Sequence, residues 1–438
     1  MKCRAFFCLV VFFARPAWSA QVDIQAIRVE LAVLEGQSRR LQAGIEDLRT
    51  HIAELEGTPA QTAPPESSFT PPGPDQDIVR WLDLTAGNAR LNVYGFARVD
   101  VIRDSARSDN TQKPLFVRSQ AGAGGSEFTL HPRLSRIGLN FTPFESTDPG
   151  DSTISGKLEV DFQNGGRESR PVPRIRHAYL EWTSGAASIL AGQTWDIISP
   201  LFPTANSDTL MWNAGNLGDR KPQIRFGFNP SAGTGGAELT GGLLLGGAVS
   251  PTDFDQDGFR DSESSGRPNL QARAGYRNDR VSVGFWGHQG WERVDLSTPT
   301  MFRSHALGGD FDFSLTARAR WRGEVWVGSN LRDVRGGVGQ GINKTRLNTI
   351  RSRGGWSELS FQTNPRNTIA AGYTVDDPTN RDLDSGGIEL NRSVYLADRF
   401  DLGRGVQVGF DYIYWRTRFR HQAAGKNHRT NLFLIYRY

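Results

Sequence analysis

The stretch Arg429-Thr-Asn-Leu-Phe-Leu-Ile-Tyr-Arg-Tyr438 decides how the rest of the chain is read. Leu432, Leu434, Tyr436 and Tyr438 share one parity, so a strand puts them on one face. In water, a lone edge strand is normally capped or charged against pairing with other chains. A closed membrane barrel instead pairs its last strand with its first and leaves no edge. The alternative is an edge strand of a water-soluble β-protein, and the remaining sequence has to separate the two.

Composition favours the barrel. The 438 residues include 49 Gly and are 10% aromatic, too polar for a helical membrane protein but rich in what strands and their girdles use. One apolar run, residues 5–14, follows Met-Lys-Cys-Arg and suits a secretory signal over residues 1–19, with Ala17-Trp18-Ser19 before the cut. It is too short to span a bilayer as a helix, which takes about 20 apolar residues. Both cysteines, Cys3 and Cys8, lie inside that signal, so neither a disulfide nor a thiolate metal site is expected afterwards. Losing Lys2, Arg4 and Arg15 takes the formal charge from +4 to +4 − 3 = +1. Six of the 51 basic residues are Lys, leaving 51 − 6 = 45 Arg, a bias suited to bidentate recognition of carboxylate or phosphate. The basic residues interleave with acids and form no run, which argues against nucleic acid as a partner.

Residues 20–56 carry a heptad seam of Ile24, Ile27, Leu31, Leu34, Leu41, Ile45, Leu48, Ile52 and Leu55, interrupted only by Ser38. The narrow stripe reads as an oligomerising coiled coil rather than a single helix docked on a globular body, and the number of its strands stays open. Residues 57–89 form a lead-in whose first part, with Pro59, Pro64, Pro65, Pro71, Pro72 and Pro74, is an extended spacer.

From residue 90 to 438 the period becomes two, which predicts an all-β transmembrane barrel of sixteen antiparallel strands. The segments are centred near Val93, Ile137, Leu158, Tyr179, Leu190, Phe226, Leu243, Ala272, Phe285, Leu307, Trp321, Leu359, Ala371, Leu390, Phe410 and Leu434. In the third, Ile154, Gly156, Leu158, Val160 and Phe162 oppose Lys157, Glu159, Asp161 and Gln163, a combination that lipid on one face and water on the other would satisfy. Between the fifth and sixth segments, residues 195–221 form a loop too apolar to hang in water. The inner wall is the surface available to it, with Asp196, Asp208, Trp212 and Asp219 as its candidate functional residues.

In order along the chain stand the heptads, the opening strand Val93-Tyr-Gly-Phe-Ala-Arg-Val-Asp100, Arg133-Leu-Ser-Arg-Ile-Gly138, Ile175-Arg-His-Ala-Tyr-Leu180 and Ala191-Gly-Gln-Thr-Trp195. In this arrangement the chain resembles the DcaP-like family of trimeric outer-membrane porins, which carry a periplasmic coiled coil before the barrel. Its last strand likewise resembles the closing-strand signal of outer-membrane barrels, though Tyr438 stands where Phe is commoner. The resemblance implies a homotrimer in the outer membrane of a Gram-negative bacterium. It also implies contact with lipid and lipopolysaccharide, delivery by the barrel assembly machinery through the last strand, and small organic anions, dicarboxylates in particular, as solutes.

Parity then nominates the pore wall: Arg98, Asp100, Arg136, Lys157, Glu159, Arg225 and Arg273, with Arg318, Arg320 and Arg322 as a ladder facing Asp196, Asp208 and Asp219. Such a ladder either sets a transverse field favouring anions or only pairs with lumenal carboxylates. A phosphate-selective pore would use one too, and an envelope-tethering barrel acting through its coiled coil is the structural alternative. Asp253, Asp255 and Asp257 resemble the start of a calcium loop, but Ser264 stands where a bidentate Glu is needed. Calcium is therefore at most a marginal ligand, and no other metal or cofactor is expected. The seven histidines show no ligand spacing and no Gly-x-Ser-x-Gly elbow is present, so the chain is expected not to be an enzyme.

Overall fold

The computed structural model describes residues 82–438 except 87–88, 111–112, 123–124, 144–151, 164–171, 206–208, 231–234, 250–251 and 296–297. The signal, the heptad seam, the proline-rich spacer and Asp208 lie outside the described residues.

The strands in chain order are β1 (Leu82–Ala86), β2 (Ala89–Asp104), β3 (Glu127–His131), β4 (Arg136–Pro143), β5 (Ser152–Asp161), β6 (Arg174–Ser184), β7 (Ala187–Trp195), β8 (Arg220–Phe228) and β9 (Gly236–Leu244). They continue as β10 (Asn269–Arg277), β11 (Val281–Asp295), β12 (Pro299–Ser314), β13 (Ala319–Ser329), β14 (Arg351–Asn364), β15 (Asn367–Pro378), β16 (Ile388–Gly403), β17 (Val406–Phe419) and β18 (Gln422–Arg437). All pairings between the named strands are antiparallel; they join sequence neighbours except for β2 with β4 and for the seam, where β18 pairs with β2 from Arg429↔Asp104 to Arg437↔Phe96. Both β3 and β4 pair with one side of β2, so they are one interrupted barrel strand, while β1 pairs with β2 below the end of β18. The 18 strands of the sheet therefore make a closed barrel of 18 − 2 = 16, and each segment centre read from the sequence falls in its own strand.

Closure follows from the lack of any hydrogen-bonding solvent in hydrocarbon, where an unpaired backbone group costs several kcal/mol. The outer face is apolar, with Val99, Leu158, Phe226, Leu307, Val325, Leu396 and Leu434 exposed. Charged and aromatic side chains of the other parity are buried on the inner face, among them Asp100, Glu159, Glu324, Glu358, Trp286 and Tyr395. Short joints such as 185–186, 278–280, 365–366 and 404–405 close one end of the barrel. Longer loops, including 105–126, 196–219, 245–268 and 330–350, leave the other.

Inner-wall packing repeats one device five times. Tyr94, Trp286, Trp326, Tyr395 and Phe433 stand directly across from Gly138, Gly308, Gly354, Gly372 and Gly409 on the neighbouring strand. In each pair the ring occupies the space a Cβ would fill, the arrangement by which an aromatic covers a strand glycine. Gly308→Val is expected to displace the Trp286 indole and cost about 1–3 kcal/mol through overpacking, lowering the midpoint of the heat-induced shift in electrophoretic mobility. An unchanged midpoint would show that the ring is free to move aside.

Candidate functional site

Side chains of β10, β13, β14 and β16 hydrogen-bond the backbone of the loop at 196–219. Glu324 accepts from the Ser199 hydroxyl and from the Leu201 N–H at 2.8 Å. Glu358 takes the Thr204 N–H and hydroxyl, both at 2.7 Å. Gln271 accepts the Ile197 N–H at 2.9 Å, Trp326 donates to the Gly215 carbonyl at 2.8 Å, and Asn391 donates to the Asn213 carbonyl at 2.8 Å. Met211, Trp212, Ala214 and Leu217 are buried. Ser199, Leu210, Met211 and Asn213 all have positive φ, a conformation costing of order 1–3 kcal/mol each that persists only where the surroundings over-determine it.

A second loop, 330–350, was not singled out in the sequence and is locked to the first. Asn213 and Gly218 donate backbone bonds to the Arg335 and Val334 carbonyls, both at 2.9 Å. The Arg335 guanidinium bonds Asp219 at 2.6 Å, and buried Lys221 reaches Asp333 at 2.6 Å. Leu331 and Val334 join Ile198, Leu217, Trp286 and Trp326 in one apolar cluster. Val117, from the loop at 105–126, joins Ala205, Met211, Tyr395 and Trp415 in a second cluster.

Charge is unevenly distributed on the inner wall. On β13 and its neighbours the arginines are matched: Arg320 pairs with Asp312, Arg322 with Glu358 at 2.8 Å, and Arg273 with Asp310 at 2.7 Å and with Glu238. Around β4 to β8 the balance differs. Arg176 contacts Glu159 and Asp161, Arg174 contacts Asp161 at 2.7 Å, and Arg136 lies 3.6 Å and Lys157 3.9 Å from Glu159. Asp219 faces both Arg220 and Arg335, and Lys113 feels Arg335, Arg174, Asp219 and Asp109. Among the described residues these seven cations meet four carboxylates (Glu159, Asp161, Asp219 and Asp109), 7 − 4 = +3. Burial, with Arg335 beside it, brings the Lys113 ammonium down to about 8. Burial alone would raise the Asp219 carboxyl, and the Arg335 and Arg220 guanidiniums hold it well below the usual range. Burial pushes Asp196 up to about 6 against the pull of Lys221.

The residues nominated from sequence thus separate into groups. Arg98 is buried and bonded to Asp100 at 2.6 Å, with its guanidinium over the Phe433 ring. Arg136, Lys157 and Glu159 belong to the basic wall, and Arg225 donates to Gln223 at 3.1 Å and to the Trp195 carbonyl. Trp212 lies under the Arg335 guanidinium at 4.8 Å. Arg318 does not extend the ladder: it sits exposed in the turn between β12 and β13. Arg320 and Arg322 face inward, but cross-strand neighbours at their level carry the carboxylates that match them, so the ladder is not the surplus. Arg174 and Arg176 escaped the sequence reading because a bulge, Glu159↔His177 followed by Val160↔Ile175, reverses parity within β6. Simple alternation from His177 and Glu181 assigns Arg176 to lipid. At the acidic loop, Asp253, Asp255 and Asp261 converge, with carboxylate oxygens within 4.8 Å of one another. Asp257 instead accepts the Phe259 N–H at 2.8 Å.

A closed barrel of sixteen antiparallel strands, with loops hydrogen-bonded to its inner wall, is the architecture of outer-membrane porins. No family model matches the chain, and no curated protein matches it. Among solved structures, the chain is similar to the outer-membrane channel DcaP of Acinetobacter baumannii, with TM-score 0.66 and 17% identity over 81% of this chain and 99% of that one. The fold resemblance read from the sequence is therefore shown. OmpF of Salmonella typhi, solved with daunomycin, gives TM-score 0.57 at 10% identity over 82% and 100% of the two chains. An anion-selective porin from Comamonas acidovorans gives 0.54 at 12% identity over 80% and 100%.

Arg335→Gln is expected to cost about 1–3 kcal/mol of local stability. Amide exchange at Asn213 and Gly218 should then quicken about tenfold to a hundredfold. Unchanged exchange would mean that the guanidinium does not join the two loops.

Proposed function

We propose that the chain is a homotrimeric porin of a Gram-negative outer membrane, forming a water-filled channel that passes small hydrophilic solutes and prefers anions. The surplus of cations around β4 to β8 carries this reading: fixed guanidiniums in a confined, low-dielectric path raise the local concentration of anions and of solutes bearing carboxylates. In this reading the loop at 196–219 folds inward and narrows the path, with its apolar side against β13 to β16 and its Asp219 end on the basic wall. Solutes then pass between that wall and the loop.

Organic anions with two carboxylates are the proposed substrate class. The wall is built from planar forks that take a carboxylate through two parallel bonds, and several forks on one wall suit two such groups better than one. The printed description of the Comamonas relative as anion-selective agrees in sign. A phosphate-selective pore is the second reading, favoured by the same guanidiniums.

Single-channel conductance in planar bilayers with a salt gradient tests this. Arg174, whose side chain is 35% exposed, is the cation to change: Arg174→Gln is expected to move the reversal potential toward zero and weaken succinate block about tenfold, with a smaller effect on phosphate block. Equal loss of both would favour the phosphate reading, and absence of any conductance would leave a structural barrel.

Selectivity also carries a pH signature. Lys113 is charged below about 8 and neutral above it, so anion preference is expected to fall between pH 7 and pH 9 by about one charge's share. Lys113→Arg should abolish that step, and a step persisting in the variant would place its source elsewhere.

A further inference from the structure

Conduction makes no use of the acids gathered in the loop at 245–268. Asp253, Asp255 and Asp261 each bring a carboxylate oxygen to within 4.8 Å of the others. Counted along the sequence, a calcium loop would take Asp257 as its third ligand and would lack the Glu it needs at Ser264. Folding changes the set. Asp257 turns to the Phe259 N–H, and Asp261 comes in beside Asp253 and Asp255 with only 1% of its surface exposed.

These carboxylates have acceptor capacity that the protein does not fill. Both oxygens of Asp261 share a single donor, the Phe254 N–H, at 3.0 and 3.2 Å. Asp255 takes the Asp295 N–H on Oδ2, while its Oδ1 is shut off from solvent without a hydrogen-bond partner. An ionised carboxylate offers about four acceptor positions, and a buried charge left unpaired is costly. The arginines around the cluster are engaged elsewhere: Arg260 with Glu263 at 3.1 Å, Arg293 with Asp295 at 2.8 Å, and Arg332 with the Gly339 carbonyl at 2.8 Å and the Thr252 hydroxyl at 3.1 Å. Lys344 lies 5.7 Å over the Phe254 ring. A fourth carboxylate adds to the excess. Glu292, on the inner face of β11, is 4% exposed, has no ion-pair partner among the described residues and lies within electrostatic range of Asp261.

We propose that Asp253, Asp255 and Asp261 hold a calcium ion. Calcium takes oxygen ligands at about 2.3–2.6 Å, and a point midway between oxygens 4.8 Å apart is 4.8 / 2 = 2.4 Å from each. A water oxygen needs about 2.7 Å from a carboxylate oxygen, so this gap admits a bare cation and excludes water. That is why the Asp255 Oδ1 is sealed from solvent and yet unpartnered. Magnesium, with ligands at about 2.0–2.1 Å and a reluctance to shed its waters, suits the gap less well. The ion fastens the loop to the long-loop end of β11, where Asp255 takes the Asp295 N–H and Phe254 packs against Val294, Phe302 and Ile342. The same loop hangs on Asp333 through the Gly247 N–H at 3.0 Å and the Val249 N–H at 3.2 Å, and Asp333 is the partner of Lys221. Calcium is therefore a clasp on this loop and, through Asp333, a brace for the place where the two lumenal loops meet. The site is read without reference to conduction, so it and the channel reading can fail separately.

The test is calorimetric titration of the full refolded protein, in detergent and stripped of metal, with calcium chloride and separately with magnesium chloride. One calcium per chain is expected, with Kd of about 10⁻⁴–10⁻³ M, and magnesium about tenfold or more weaker. Asp261→Asn and Asp255→Asn, made separately, should each weaken calcium about tenfold or more, while Asp257→Asn should change it by less than about threefold. Calcium should also raise the midpoint of the heat-induced mobility shift in the parent and in Asp257→Asn, but not in the other two. The presence of that shift without calcium shows that each variant has folded. No saturable binding below about 10 mM, or parental affinity in both Asp255→Asn and Asp261→Asn, would overturn the proposal. A loss in Asp257→Asn as large as in Asp261→Asn would return the ligands to the order of the sequence motif, and equal affinity for magnesium would mark a diffuse acidic surface; either result also overturns it.

Discussion

A sheet that crosses hydrocarbon has no solvent to satisfy its edges, and the pairing of β18 with β2, from Arg429↔Asp104 to Arg437↔Phe96, is where this chain meets that requirement. The outward parity of every strand answers to lipid because the ladder is closed, and the inward parity is free to hold charge because lipid cannot reach it. The seam is reinforced on its inner side. Arg429 bonds Asp104 at 2.7 Å, Asn431 bonds Asp100 at 3.0 Å and Phe433 packs under Arg98, so side chains repeat the register that the backbone sets.

Inside the barrel, carboxylates do two kinds of work. Glu324 and Glu358 accept N–H groups from the loop at 196–219, and Asp376 takes the Val338 N–H at 3.0 Å. An acid aimed at backbone donors supplies partners that buried loop amides would otherwise lack. Other acids, among them Asp161, Asp312 and Asp411, pair with arginines on adjacent strands. The anion preference proposed above rests on the shortfall of acids among the described residues around β4 to β8, a property of the wall as a whole and not of any one residue.

Period-two alternation made the barrel legible, since a closed sheet between lipid and water must show it on every strand, and the sixteen segment centres fall in sixteen strands. Short β1 was missed because a strand of five residues in a proline-rich lead-in has too little alternation to read. Within the site, alternation found Arg98, Arg136, Lys157, Arg273, Arg320 and Arg322 on the correct face but could not tell a matched arginine from a surplus one. That distinction lies in register between strands, which no single strand displays. Arg174 and Arg176 were hidden by the β6 bulge, Arg220 by standing where the loop at 196–219 meets β8, and Arg335 by lying inside the loop at 330–350. The loop at 330–350 was missed because its apolar residues, Leu331, Val334, Val338 and Ile342, are scattered among glycines and give no period.

The joining of the loops at 196–219 and 330–350 has a consequence for how the molecule is made. Lys221 at the start of β8 reaches Asp333 beyond β13, and Asp219 reaches Arg335, so two segments more than a hundred residues apart must meet inside a space that the wall encloses. Contacts of such long range are slow to form because loop-closure entropy is lost before any contact compensates it. If the wall zipped shut first, both loops would have to thread through its open mouth with their charges already desolvated. The cheaper order is for the loops to nest against the half-curled sheet while water still reaches them, and for β18 to meet β2 last. Changes that weaken the nested loops would then show first as slow or stalled biogenesis, with the finished barrel scarcely less robust.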